Sequence, residues 1–297
     1  GSLRFPASAN GAVTVKPGLG RVAAFNPSQK AERGLLAQSM SVQGLITRTA
    51  ADLHLSMPAL IAADPRDPFH VPVPWRGAPR SAPIRVAVSR DDFGFGLHSE
   101  VATALDRAAS ALSDAGYAVE TVEPPLARET GEVGYRALMG EVKALIGPDI
   151  HQYGSVGLNT IFEEYYRQFP PYEGTELVTM LAKRTHYMRE WSLFLEDYPL
   201  VLTPLLLQPF FAPGRDAEGP EGVRHALGGA HWSFIMNFLG LPAGNLPTHI
   251  ADLPTGPQPI GVQIAGRRWR EDLIVDAMQA IETVISPACE TLWKRLA

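Results

Sequence analysis

The sequence predicts an α/β protein built on a mixed sheet covered by helices. Three observations predict it. Residues 84–122 read as strand, helix, strand. Short apolar runs suited to buried strands recur at 200–203, 243–247 and 260–265. Between these runs, apolar residues return at helical spacing, clearly so at 271–284.

The elements follow in chain order. Residues 1–22 are small and glycine-rich and read as loop, with Val13 and Val15 alternating as in a short buried strand. Residues 26–45 are polar and read as a long surface loop. Helical spacing covers 49–62, with Thr49 as N-cap and Asp52 three residues on, the pattern of a capping box. Residues 64–83 are punctuated by proline and read as an extended linker. The strand at 84–88 is followed by a helix at 99–115, with Val101, Leu105, Ala108 and Leu112 on one face and Gly116 as its stop. A second strand follows at 117–122, and such a crossover implies parallel pairing. Residues 129–197 are mostly helical, interrupted by Pro148, Pro170 and Pro171. One helix is predicted over 222–239, and a short one over 290–296.

Composition narrows the function classes. The chain has 297 residues, of which 45% are apolar, enough for a sizeable core. Net charge is −5 and no basic stripe appears, which excludes the electrostatic footprint of a nucleic-acid binder. No apolar run reaches membrane-spanning length. The one cysteine, Cys289, has no intramolecular partner, and the expectation is a reducing cytoplasm.

Residue chemistry alone completes no catalytic set. There is no Gly-x-Ser-x-Gly elbow, no metal-ligand spacing among the eight histidines, and no Walker or dinucleotide fingerprint. The opening stretch carries more. It runs Gly1-Ser2-Leu3-Arg4-Phe5-Pro6-Ala7, then Gly11, Val15-Lys16-Pro17 and Gly20-Arg21-Val22. Further on stand Gly44-Leu45-Ile46-Thr47-Arg48-Thr49, Asp64-Pro65-Arg66-Asp67-Pro68, Asn237-Phe238-Leu239-Gly240-Leu241-Pro242-Ala243, and Pro259-Ile260-Gly261-Val262-Gln263-Ile264-Ala265-Gly266-Arg267. In order and spacing, these stretches resemble the amidase-signature family. The resemblance runs from Gly1 to the end of the chain, with a less familiar stretch between Arg128 and Glu190.

That resemblance implies a mainly parallel mixed sheet with helices on both sides. It also implies that residues 1–297 form the C-terminal part of a single domain, incomplete at the N-terminus. The family's nucleophile falls on Ser2, and the backbone N–H groups of Gly1 and Ser2 fall in its oxyanion hole. A serine needs a base, and the family supplies a lysine acting through a second serine, both ahead of the nucleophile in the chain. The N-terminal segment is therefore an expected partner of this chain. The implied reaction is hydrolysis of a carboxylic amide through an acyl-enzyme, without metal or cofactor.

For substrate, the resemblance points to the helix before Asn237. Leu227, Ala230 and Phe234 share one face there, and Phe210 stands ready to close the pocket, which suggests a small amide with an apolar or aromatic acyl group. Amidotransferase A subunits carry an acid where Ala230 stands, which counts against that alternative. Ser41 likewise stands where the family commonly has an aspartate. A catalytically inactive ligand-binding relative is the third reading. A homodimer is compatible with all three. Lys16 is read as structural, Arg4 as a structural ion pair bracing the turn, and His231 as a core or surface histidine with its hydrogen bonds satisfied.

Overall fold

The computed structural model describes residues 1–28, 31–80 and 83–296. The parts of the expected surface loop and linker that fall on 29–30 and 81–82 lie outside the described residues. Seven strands form one sheet, in the order β2-β1-β6-β7-β5-β3-β4. They are β1 (Val13–Lys16), β2 (Ile46–Thr47), β3 (Arg85–Val88), β4 (Ala118–Thr121), β5 (Leu200–Pro204), β6 (Ala243–Leu253) and β7 (Gly256–Gly266).

The α/β class and the mixed sheet are as expected. Among the described residues, β3 pairs parallel with β4, its partner in the strand–helix–strand unit, and with β5. The remaining pairings are antiparallel, and local connectivity explains the largest of them. Only Pro254 and Thr255 separate β6 from β7, and a two-residue connection can only return the chain antiparallel.

Side-chain alternation sorts the helices onto the two faces. Val86, Val88, Leu200, Leu202, Val262 and Ile264 point into a core with α3 (Ala50–Leu60), α4 (Ser99–Asp114) and α11 (Glu271–Val284). Ala87, Val201, Ala243 and Ala265 point the other way. They meet α5 (Ala127–Leu145), α8 (Gly174–Asp197) and α10 (His231–Leu239). Between α5 and α8 lie α6 (Gly147–Tyr153) and α7 (Val156–Gln168), and α12 (Ala288–Leu296) ends the chain.

Three expectations change. The opening stretch holds a helix, α1 (Arg4–Ala9), and the polar loop holds another, α2 (Leu35–Met40). The helix expected over 222–239 is two, α9 (Gly219–Gly228) and α10, with Gly229 and Ala230 between them. Adjacent glycines weaken the helix there. A side chain at Gly228 would also collide with Phe95, its Cβ falling 2.0 Å from the ring.

The second face of the sheet is not apolar throughout. Thr14, Asn245, Gln263 and Thr203 lie in register across four neighbouring strands, all fully buried. This polar row is the floor on which α1 rests. Its approach is close. A Cβ at Gly261 would fall 2.4 Å from both the Ser8 hydroxyl and the Asn245 side chain. Among the described residues, no helix is long and apolar enough to cross a membrane.

Candidate active site

Arg4 ties the first turn of the chain to the polar floor. It is 1% exposed and donates to the Gln263 side chain on β7, to the Ser233 carbonyl at 2.7 Å and to Asn237 Oδ1 at 2.7 Å on α10. The expected ion pair is corrected: these three acceptors are neutral. Arg4 braces the turn because its rigid fork fits acceptors on two elements at once, not because a carboxylate neutralises it. The turn is helical from its start, since Phe5 N donates to the Gly1 carbonyl at 3.0 Å and Ala7 N to the Leu3 carbonyl at 3.2 Å.

Ser2 stands exposed on this anchored turn, at a cavity of about 430 Å³. Gly1, Arg4, Lys16, Ser41, Leu138 and Asn237 are among its walls. Its charged lining residues are Arg4, Lys16 and Arg33, with no Asp or Glu among the described residues that line it. The buried guanidinium of Arg4, with no carboxylate among the described residues lining the cavity, favours an anion developing at this turn.

Lys16 is 4% exposed and donates to the Pro17 carbonyl at 2.9 Å. Burial, then Arg4, holds its pKa well below the usual lysine range, while Glu271 works against them. Glu271 lies beneath, 3.4 Å from Arg21 and accepting from Gly18 N at 2.9 Å. A space of similar size, about 430 Å³, shares Ala24, Arg33, Ser41 and Val42 with the Ser2 cavity.

The expected substrate residues are not gathered at Ser2. Leu227 belongs to α9, Ala230 is the residue before α10, and Phe234 lies within α10, so the single helical face dissolves at the break. Phe234 stacks on Tyr135 at 3.8 Å, Tyr135 leans on Phe169 at 4.6 Å, and the Tyr135 hydroxyl donates to the Leu227 carbonyl at 2.9 Å. Phe210 comes nearer the turn, edge-on to Phe5 at 6.2 Å between ring centroids. None of the four lines the cavity at Ser2. Leu138, Met40, Val42 and Asn237 do. Asn237 stood in a visible motif. The other three lie in α2, the loop after it and α5, where neither motif nor resemblance was strong.

His231 is 3% exposed and packs on Phe93 at 4.3 Å. Its place in the core is as expected, but its ring nitrogens make no hydrogen bond of normal geometry. Burial lowers its pKa to about 4. Among the described residues, no group of three or more His, Cys, Asp or Glu is placed to hold a metal ion.

The chain is matched over residues 1–275 by the sequence model of the amidase family, and it belongs to that family. It is 34% identical over its whole length to an indoleacetamide hydrolase of Bradyrhizobium diazoefficiens, of which it spans 56%. It is 33% identical to an indoleacetamide hydrolase of Bradyrhizobium japonicum, of which it spans 63%. The chain thus spans between half and two thirds of these relatives' length. Among solved structures, a 6-aminohexanoate cyclic dimer hydrolase superposes with a TM-score of 0.72 at 22% identity, covering 96% of this chain and 63% of that one. A bacterial aryl acylamidase of the amidase-signature enzymes superposes with a TM-score of 0.70 at 20% identity, covering 96% and 60%. These likenesses establish the fold.

Proposed function

We propose that the protein hydrolyses a small carboxamide with an aromatic acyl group, of the indoleacetamide type, through an acyl-enzyme on Ser2. The observation that carries this reading is the exposed Ser2 on an anchored turn, at a cavity whose charged lining is entirely cationic. The substrate class rests on similarity, over the length of this chain, to part of the two indoleacetamide hydrolases. An apolar wall of Leu138, Met40 and Val42 suits an aromatic acyl arm. The aromatic cluster of Phe234 and Tyr135 backs that wall through α5.

In this mechanism Ser2 Oγ attacks the amide carbonyl carbon while its proton passes to a base. The carbonyl oxygen becomes an oxyanion beside the backbone N–H groups of Gly1 and Ser2, near the buried guanidinium of Arg4. The C–N bond breaks, ammonia leaves with the proton, and an ester to Ser2 remains. Water then attacks the ester carbonyl, releasing the carboxylate and restoring the hydroxyl. The base in this reading is a lysine relayed through a second serine, both outside the 297 residues. Lys16 stays structural, its ammonium turned to Pro17.

The test measures ammonia release by the full-length protein from indoleacetamide, from aliphatic amides and from glutamine, alongside intact mass after a fluorophosphonate probe. We expect turnover of the aryl amide and one adduct, both abolished by Ser2→Ala. Activity that survives Ser2→Ala would exclude the acyl-enzyme. Turnover of glutamine alone would move the reading to an amidotransferase subunit.

A further inference from the structure

The inner wall of the Ser2 cavity is made of two pieces far apart in sequence. One is α5, through Leu138. The other is the segment from Gly34 to Gln43, through Ala37 and Met40 of α2 and then Ser41, Val42 and Gln43. A single buried carboxylate joins them. Glu141, one turn beyond Leu138 on α5, is 7% exposed. Its Oε2 accepts from Leu36 N at 2.7 Å and its Oε1 from Ala37 N at 2.8 Å. Both oxygens are therefore spent on backbone amides of the opposite wall.

The packing around this clamp is tight. A Cβ at Gly34 would fall 2.2 Å from the Glu141 carboxyl carbon, so a side chain there would have to displace the carboxylate. Leu36, 1% exposed, is buried in the same core as α5 and α10. A helix as short as α2 has little stability of its own, so its position depends on what holds it.

We propose that Glu141 is a positioning residue: its carboxylate fixes the spacing between Leu138 and the 37–43 wall, and so where an acyl group rests relative to Ser2. This rests on the reading of Ser2 as nucleophile. Glu141 touches no reacting atom. Its effect should therefore depend on how much of the wall the substrate uses, because small misplacements of a bound group cost large factors in rate.

The experiment uses the full-length protein with Glu141→Gln and Glu141→Ala. Glu141→Gln keeps the shape and one acceptor, and turns an NH2 group toward the other backbone N–H. For an aryl-acetamide we expect kcat/KM to fall about tenfold in Glu141→Gln and about a hundredfold in Glu141→Ala. For acetamide, which barely reaches the wall, the fall should be threefold or less, about the level of a mere loss of folded protein. Equal losses for both amides would reduce Glu141 to a fold-stabilising residue. Hydrogen exchange of the amides of residues 35–43 gives a readout independent of turnover. Faster exchange confined to that segment is expected in both variants. Unchanged exchange there overturns the proposal whatever the protein hydrolyses, whereas failure of wild type to hydrolyse any amide would count against the proposed function alone.

Discussion

Arg4 sits in a recognisable motif, yet what it does is set by residues more than two hundred positions away. Its guanidinium is buried, burial pulls its pKa down, and no carboxylate offsets the charge. The cost is met by charge-assisted hydrogen bonds to Gln263, Ser233 and Asn237, each stronger than a neutral pair. A lysine carries the charge but not the fork, so it cannot reach β7 and α10 together. Arg4→Lys is therefore expected to destabilise the protein by about 2–4 kcal/mol, read from urea unfolding. It should also lower the rate of probe labelling at Ser2, because the turn loses its anchor. Labelling at the wild-type rate, with stability unchanged, would mean that the anchor is not what holds Ser2. The motif made Ser2, Arg4 and Asn237 legible as a set. The kind of contact joining them was not, since a neutral glutamine acceptor leaves no charge pattern in the sequence.

At the scale of elements, legibility followed local chemistry. The capping box at the start of α3 was written in Thr49 and Asp52, and both halves form: Asp52 N donates to Thr49 Oγ1 at 3.2 Å and Thr49 N to Asp52 Oδ2 at 3.1 Å. Loss of the hydroxyl in Thr49→Ala should cost about 1 kcal/mol, while Thr49→Ser should cost only a few tenths, by thermal or urea unfolding. Equal cost for the two would show that the methyl packing, not the cap, matters. The amphipathic α4 and α11 were equally plain, their apolar stripes matching the faces they bury. What escaped were elements stabilised by distant partners. The six residues of α1 have no side-chain cap at their N-terminus and include a proline. The six of α2 are held by Glu141. Beside the α9–α10 break, Phe95, far off in sequence, leaves no room for a side chain at Gly228. The face expected to run from Leu227 to Phe234 is divided by that break, and Phe234 packs on Tyr135.

Across the whole molecule, two titratable groups on opposite sides of the sheet, His231 buried and Glu282 half-buried, give stability opposing slopes with pH. His231 lies on the α10 side, facing Phe93, Phe95 and Tyr135, with Arg128 and Asp91 as its charged neighbours. Its folded pKa is about 4 against an ordinary 6.5, so the unfolded chain takes up a proton first. Stability is fully present above pH 6.5 and falls as pH drops toward 4, by about 3 kcal/mol in all. Glu282 lies on the α11 side, where it accepts from Ala50 N at 2.9 Å near Asp52. Burial, followed by Asp52, raises it to about 7 from 4.5. The sign is reversed: stability is full below pH 4.5 and is lost as pH rises through 7. The loss is on the order of 1 kcal/mol once its partial exposure is allowed for. Between pH 4.5 and 6.5 the two slopes oppose one another, and the larger His231 contribution leaves a net gain of about 1–2 kcal/mol as pH rises. Substitution separates them. Relative to wild type, His231→Asn should gain thermal stability steadily as pH falls from 6.5 to 4.5. Glu282→Gln should gain as pH rises from 4.5 to 7.5. Altered packing adds an offset to each variant that does not depend on pH, so the slope of the difference is the quantity to read from melting curves at four or five pH values. A flat difference for His231→Asn would show that the imidazole is protonated in the fold or reached by water. A flat difference for Glu282→Gln would show that its carboxylate is ionised throughout, held by Ala50 N at the start of α3.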